Sequence, residues 1–214
     1  KPKPLINVLG KPIICWLLDN LNLDNISNII IPYNKRLKEY RFEDFLKKKY
    51  PDINFIFIYL ENDTDGASHT ILLGLNKLEL NNFNDESILC LDSDNFYTID
   101  IINKFQKNQN KNCVLVFEDT SSEPIYSYSK IKNNNIIDIK EKDKISNYAN
   151  TGGYGFESWK ELKNNINFIM EQKIKQKNEY YTSTIIKEMI KKNKVFSAIN
   201  IPSKNFICLE THLK

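Results

Sequence analysis

Short apolar runs alternate with amphipathic segments through the first half of this 214-residue chain. In "KPIICWLLDNLNL" (11–23), Ile14, Leu17, Leu18 and Leu21 recur at three- and four-residue spacing, which places them on one face of a helix. "ISNIIIPY" (26–33) is short and rich in β-branched residues, and reads as a buried strand. A surface helix follows in "RLKEYRFEDFLKKKY" (36–50), then a strand in "INFIFIYL" (53–60). "SHTILLGLNKLEL" (68–80) is a helix whose first turn comes just after Gly66. The alternation continues with a strand at 87–92, a helix at 99–109 and a strand at 112–119. Apolar strands separated by helices predict an α/β fold, with a mostly parallel, Rossmann-like central sheet covered by helices on both faces.

The second half has a different rhythm. "IYSYSKIKNNNIIDIKEK" (125–142) has two extended arms around Asn133-Asn134-Asn135, a hairpin signal. "TGGYGFES" (151–158) reads as a strand that opens on two glycines. Helices are expected at 158–172 and 179–192, and short strands at 195–201 and 205–209. No Pro/Gly/Ser-rich tract divides the chain, so one domain over residues 1–214 is expected.

Within this frame "LCLDSDNFYT" (91–100) stands out, because Asp92 and Asp94 directly follow the apolar run 88–91. In an open α/β sheet, ligands sit beyond the carboxyl ends of the strands. The acids are therefore either a metal site or a polar turn where the strand runs out.

Composition narrows the function classes. The chain is 41% hydrophobic and 12% aromatic, enough for a real core. A net charge of +3, with lysines scattered rather than striped, argues against a nucleic-acid or anionic-membrane partner. Cys15, Cys90, Cys113 and Cys208 form no C-x-x-C pair, and only His69 and His212 could complete a zinc site with them. They read as buried thiols in a reducing compartment. No run approaches the roughly 18 apolar residues of a membrane span, and no signal peptide opens the chain. A cytoplasmic protein is expected.

Several stretches, in order, resemble the sugar-phosphate nucleotidyltransferase (pyrophosphorylase) superfamily, and its capsule and surface-polysaccharide members in particular. "KPKPLINVLGKPIICWLLDNL" (1–21) is similar to the segment that follows the family's glycine-rich loop. "TDGASHTILLGL" (64–75) is similar to its base-receiving loop and helix, and "LDSDN" (91–95) to its metal-binding strand end. "IIDIKEKDKIS" (136–146) resembles the glutamate–lysine element, "NTGGYGF" (150–156) the glycine–tyrosine strand, and "NEYYTSTIIKEMI" (178–190) the late helix.

The resemblance implies a nucleotide-diphospho-sugar transferase-like catalytic domain. Its reaction is attack of a sugar or polyol phosphate on the α-phosphorus of a nucleoside triphosphate, with release of pyrophosphate for polysaccharide precursor synthesis. Two anions meet in such a reaction, so cations must carry it. The resemblance makes Asp94 the principal Mg²⁺ ligand, with Asp92 a secondary contact to nucleotide or metal. Lys3 would neutralise the α-phosphate. Gly66 and Ala67 would border the base, although a plain turn also accounts for the glycine. Lys142 would grip the sugar phosphate and Glu141 its hydroxyls, whereas the residue types alone suggest a solvated charge run. Gly152 and Gly153 permit close approach of the sugar, or else form a strand bulge. His69 and Tyr180–Tyr181 lie in matching stretches, but packing residues are the simpler reading.

Two departures qualify the resemblance. The match begins just after the family's "AGxGxR" loop, so the expectation is a chain without that loop and its central strand, through truncation or degeneration. The late "D-x-G-T" element appears as "ICLETHLK" (207–214), with Cys208 in the aspartate's place and Glu210 as a substitute metal ligand. Cysteine suits Mg²⁺ poorly. A nucleotide-sugar glycosyltransferase using Asp92-Ser93-Asp94, and a regulatory relative without catalysis, are the competing readings. Base, sugar and oligomeric state are not readable from the sequence.

Overall fold

A computed structural model describes residues 1–209. A 3₁₀ turn at Lys3–Leu5 leads into a small hairpin of β1 (Asn7–Val8) and β2 (Lys11–Pro12), then α1 (Ile13–Asp19). Next come β3 (Ile29–Asn34), α2 (Lys35–Lys38), α3 (Phe42–Lys49), β4 (Phe55–Leu60) and α4 (Ala67–Leu80). The middle contains β5 (Ile88–Leu91), β6 (Asn95–Tyr97), α5 (Ile101–Lys107) and β7 (Cys113–Glu118). The hairpin β8 (Ser127–Lys132) and β9 (Asn135–Glu141) precedes β10 (Tyr148–Phe156), α6 (Trp159–Glu171) and α7 (Thr182–Lys191). Strands β11 (Phe196–Asn200) and β12 (Phe206–Cys208) follow.

The α/β class and the helices on both faces match the sequence reading; the mostly parallel sheet does not. The main sheet runs β5-β10-β7-β11-β9-β8, and β8 closes back onto β10 through Ala149 and Tyr128. Only β7 and β11 are parallel in it. Strand β10 runs antiparallel to β5, β7 and β8 alike. The cause is the connection: β10 enters from a hairpin and a short loop, and only a long crossover forces a parallel return. The β7-to-β11 connection has that crossover, through α6 and α7. Strands β3 and β4 form a separate parallel pair. Among the described residues β3 pairs only with β4, and β5 only with β10.

Strand β7 shows how the sheet divides the core. Its Cys113, Leu115 and Phe117 join Leu17 and Leu18 of α1, Leu46 of α3 and Phe105 of α5 on one side. Val114 and Val116 join Leu75 of α4, Leu162 of α6 and Ile185 of α7 on the other. Five successive buried residues on β7 are what a strand covered on both faces requires. Burial pushes the Cys113 thiol up to about 12, which keeps it protonated and inert.

The helix expected at 36–50 is two helices. Arg41 breaks it with left-handed backbone, φ +51°. The break lets Phe42 and Leu46 turn fully into the core beside Tyr33 and Phe57. The hairpin β1–β2 and the short β6 had no place in the sequence reading, since two- and three-residue strands carry no periodicity.

Gly155, in the interior of β10, has no room for a methyl group. A Cβ there would lie 2.6 Å from the Phe105 ring and 2.7 Å from the Lys111 carbonyl oxygen. Gly155→Ala is expected to cost about 1–3 kcal/mol of stability, seen as a lower urea midpoint with an unchanged slope.

Candidate active site

The acidic pair lies where β5 ends. The Asp92 amide donates to the Gly152 carbonyl at 2.9 Å, which extends the β5–β10 ladder by one bond. Asp94 sits in the turn between β5 and β6, and the Leu209 amide donates to its carbonyl at 3.0 Å. Its carboxylate forms an ion pair with Lys3, 91 residues away in sequence. The Asp94 side chain keeps 17% of its surface exposed and that of Lys3 39%, so the pair is partly wet and open to exchange of partners. The acids are thus in a polar turn, and that turn faces a cation.

A buried polar network holds this turn against β10. Asn95 Nδ2 donates to the Thr151 carbonyl at 2.9 Å, and the Tyr97 hydroxyl bonds Thr151 Oγ1 at 2.9 Å. Thr151 Oγ1 in turn donates to the Leu115 carbonyl at 3.1 Å. The pairing of β10 with β7 shifts register between Asn150 and Gly153, so Thr151 and Gly152 form a bulge. Gly152 has φ +81°, and a Cβ there would collide with the Asp92 carboxylate and lie 2.9 Å from Asn95 Nδ2. At Gly153 a Cβ would come within 3.1 Å of the Tyr97 hydroxyl. Of the two sequence readings for these glycines, the bulge is the one seen. Burial pushes the Tyr97 phenol well up, and the charges of Asp92 and Asp94 act the same way.

Asn95 Oδ1 is buried and has no hydrogen-bond partner among the described residues. Asp92 and Asp94 bring carboxylate oxygens, and Asn95 this amide oxygen, to the same strand end. That suits Mg²⁺, which needs one or two protein carboxylates and keeps its waters. Among the described residues no group of three or more acid, His or Cys side chains is arranged for a metal. Cys208 pairs with Asn95 across β12–β6, so the element carrying the cysteine does lie beside the acidic turn. Glu210 lies outside the described residues.

Glu141 ends β9. Its Oε2 accepts from the Ser127 hydroxyl and, at 3.2 Å, from Ser183 Oγ. Lys142 adopts left-handed backbone, φ +50°, with its amide donating to the Tyr126 carbonyl at 2.9 Å. The "KEKDK" stretch is not uniformly solvated. Lys140 pairs with Asp143 at 3.0 Å, and Lys144 donates to the Asp119 carbonyl at 3.0 Å and to that of Ser121. Lys142 is exposed, with no ion pair among the described residues. Burial works against ionisation of Asp119, but bonds from Tyr128 and Ser121 and the Lys144 charge outweigh it and hold the carboxyl below its ordinary value. The loop after Lys142 is thereby tied to the loop that follows β7. Tyr154 of β10 is buried, its phenol pushed far up by burial first and then by the charges of Asp92 and Glu141.

An open cleft of about 310 Å³ lies at the carboxyl ends of β3 and β4, lined by Lys3, Arg36, Asn62, Asp63 and Thr64. It adjoins the residues expected to meet the base. Gly66, just beyond, has φ +109°, and a Cβ there would lie 2.9 Å from the backbone of Tyr180. Close packing against that loop explains the glycine, and Ala67 starts α4 beside it.

The fold therefore brings Lys3 to Asp94, and Asp92 to Gly152, with Glu141 and Lys142 adjacent on the same sheet. Sequence reasoning missed Asn95, Thr151, Ser183 and Asn150, whose Oδ1 accepts from Ser129 at 2.7 Å. Asn95 adjoins the acids in "LDSDN", and Asn150–Thr151 opens "NTGGYGF"; buried polar residues inside apolar strands were the available signal.

The family model described as nucleotidyl transferase matches residues 1–203. The bifunctional protein GlmU of Methanocaldococcus jannaschii is 28% identical over 199 residues, which cover 91% of this chain and 43% of that protein. The chain thus spans less than half the length of this curated relative. Among solved structures, a nucleoside-diphosphate-sugar pyrophosphorylase from Vibrio cholerae RC9 superposes with a TM-score of 0.85 at 18% identity, covering 98% of this chain and 87% of that one. The inositol-1-phosphate CTP transferase of T. maritima gives 0.71 at 11% identity, covering 95% and 78%. At these identities the two structures are alike in fold.

Gly152→Ala is expected to cost about 1–3 kcal/mol, through left-handed backbone and the Asp92 collision. Tyr97→Phe, which keeps the Thr151–Leu115 bond, is expected to cost about 1 kcal/mol. Urea unfolding of both variants checks the order.

Proposed function

The chain belongs to the nucleotidyl transferase family, and from that premise we propose that it joins a nucleoside triphosphate to a sugar or polyol phosphate and releases pyrophosphate. The observation that carries this reading is the meeting of Lys3 and Asp94, a cation and a metal-type carboxylate, beside an open cleft at the strand ends. The names of the structural neighbours, which include a sugar pyrophosphorylase and an inositol-phosphate CTP transferase, support the substrate class.

The chemistry asks little of the protein by way of covalent steps. The phosphate oxygen of the acceptor attacks the α-phosphorus, the bond to the β-phosphate oxygen breaks, and pyrophosphate leaves. The obstacle is repulsion between two anions, which positioned cations relieve. In this reading the nucleotide lies in the cleft, with its base toward 62–66 and its α-phosphate at the Lys3 ammonium. Asp94, with Asp92 and Asn95 Oδ1 near it, would hold Mg²⁺, which supplies further positive charge when bound. The exposed Lys142 ammonium, with no ion pair among the described residues, draws in the sugar phosphate. Glu141 accepts from its hydroxyls, which orients the acceptor for in-line attack.

Among the described residues no helix is long and apolar enough to cross a membrane. We read the protein as a cytoplasmic supplier of activated sugar for surface polysaccharide, a role that rests on the "KPKPLI…GKP" opening.

Pyrophosphate release from each nucleoside triphosphate, with Mg²⁺ and a panel of sugar and polyol phosphates, tests the reaction. A glycosyltransferase would instead liberate nucleoside diphosphate from a nucleotide sugar, and a regulatory relative would bind nucleotide without turnover. Asp94→Asn, nearly isosteric in a partly exposed turn, is expected to lower kcat by about 10²-fold or more with an unchanged unfolding midpoint. Lys142→Ala is expected to raise KM for the sugar phosphate about tenfold and leave KM for the nucleotide alone.

A further inference from the structure

The run of chain between α6 and α7 contacts both ends of the site. Gln176 and Glu179 exchange backbone bonds at 3.0 and 2.9 Å across Lys177 and Asn178, which both have positive φ, +45° and +68°. That is the backbone of a tight type I′ turn. From this turn Gln176 Oε1 accepts the Glu141 amide at 3.2 Å. The next residue grips the nucleotide loop: the Tyr180 amide donates to the Asp65 carbonyl, and the Ser68 amide donates to the Tyr180 carbonyl, both at 2.9 Å. Gly66 lies flat against the same peptide units. In the first turn of α7, Ser183, 1% exposed, reaches Glu141 Oε2.

The bonds to Glu141 are one-sided. Ser127 and Ser183 both donate to Oε2, and Oε1 makes no hydrogen bond among the described residues. A carboxylate only accepts, so anchoring one oxygen aims the other at a hydroxyl donor in a fixed direction. Ser183 does not cap its own helix, whose N-terminus has no side-chain cap.

We propose that residues 176–183 are a brace that sets the Glu141 carboxylate and the Gly66 loop from one piece of backbone, with Ser183 and Gln176 as positioning residues. The proposal rests on the roles given above to Glu141 and Gly66. It makes the two substrate ends interdependent: what shifts the loop at Gly66 also shifts the acceptor for the sugar hydroxyl.

Two measurements on Ser183→Ala, Ser183→Thr and Gly66→Ala test this. The first is steady-state kinetics with glucose 1-phosphate, N-acetylglucosamine 1-phosphate and inositol 1-phosphate against each nucleoside triphosphate. Ser183→Ala is expected to raise KM for the sugar phosphate about fivefold to tenfold with kcat within about twofold, and Ser183→Thr to restore it. Gly66→Ala is expected to raise KM for both substrates, although it lies on the nucleotide side alone. The second is amide hydrogen exchange without substrate. Ser183→Ala is expected to speed exchange at Tyr180 and Ser68 while leaving Leu115 unchanged. Unaltered exchange at Tyr180 and Ser68, a KM that stays put, or failure of Thr to rescue would overturn the brace. Absence of pyrophosphate release by the unmodified protein would remove the proposed reaction instead, and the exchange measurement would still decide the brace.

Discussion

Strand β10 must pair with β5, β7 and β8 and still leave space for an acidic turn at its edge. The bulge at Thr151–Gly152 reconciles these demands. Without a Cβ at Gly152 the Asp92 carboxylate can lie over the strand, and the Gly152 carbonyl can receive the Asp92 amide. Asn95, Tyr97 and Thr151 fix the bulge with hydrogen bonds in a dry interior, where an unmade bond is costly. The position of Asp94, and so its meeting with Lys3, follows from where this bulge holds the turn.

Charge is distributed to the same end. Lys3 arrives on an N-terminal 3₁₀ turn whose neighbour Leu5 is buried, so the lysine backbone is anchored while its side chain reaches the cleft. At the other end Lys142 is held by its own backbone and by the tie of Lys144 to the 119–121 loop. Tyr154 of β10 is buried, and the charges of both Asp92 and Glu141 act on its phenol. The proposed reaction, between two anions, would call on cations held in fixed places more than on a nucleophile or a general base.

The sequence predicted most elements to within a few residues, because their periodicities are local properties of the chain. It also singled out Asp94, Lys3, Glu141 and Lys142 as a candidate set, although only through the order of motifs along the chain. In isolation Lys3 is one lysine among many, and "KEKDK" is a charge run. What separates Lys142 from Lys144 is that it has no ion pair among the described residues, and the carbonyls that hold Lys144, 25 and 23 residues away, leave no local trace.

The sequence by itself determined the α/β class, the helical and extended segments, and the acidic strand end, since burial of alternating apolar faces is written in short-range spacing. Tertiary structure decided the rest. The sheet is mixed because a hairpin, not a crossover, feeds β10. Gly66 and Gly152 are required by backbone and carboxylate packed against them from distant parts of the chain. Which oxygen of Glu141 is anchored was set by Ser127 and Ser183, 14 and 42 residues away. Such choices depend on which surfaces come into contact once the chain has closed, and no window along the sequence contains both sides of those contacts.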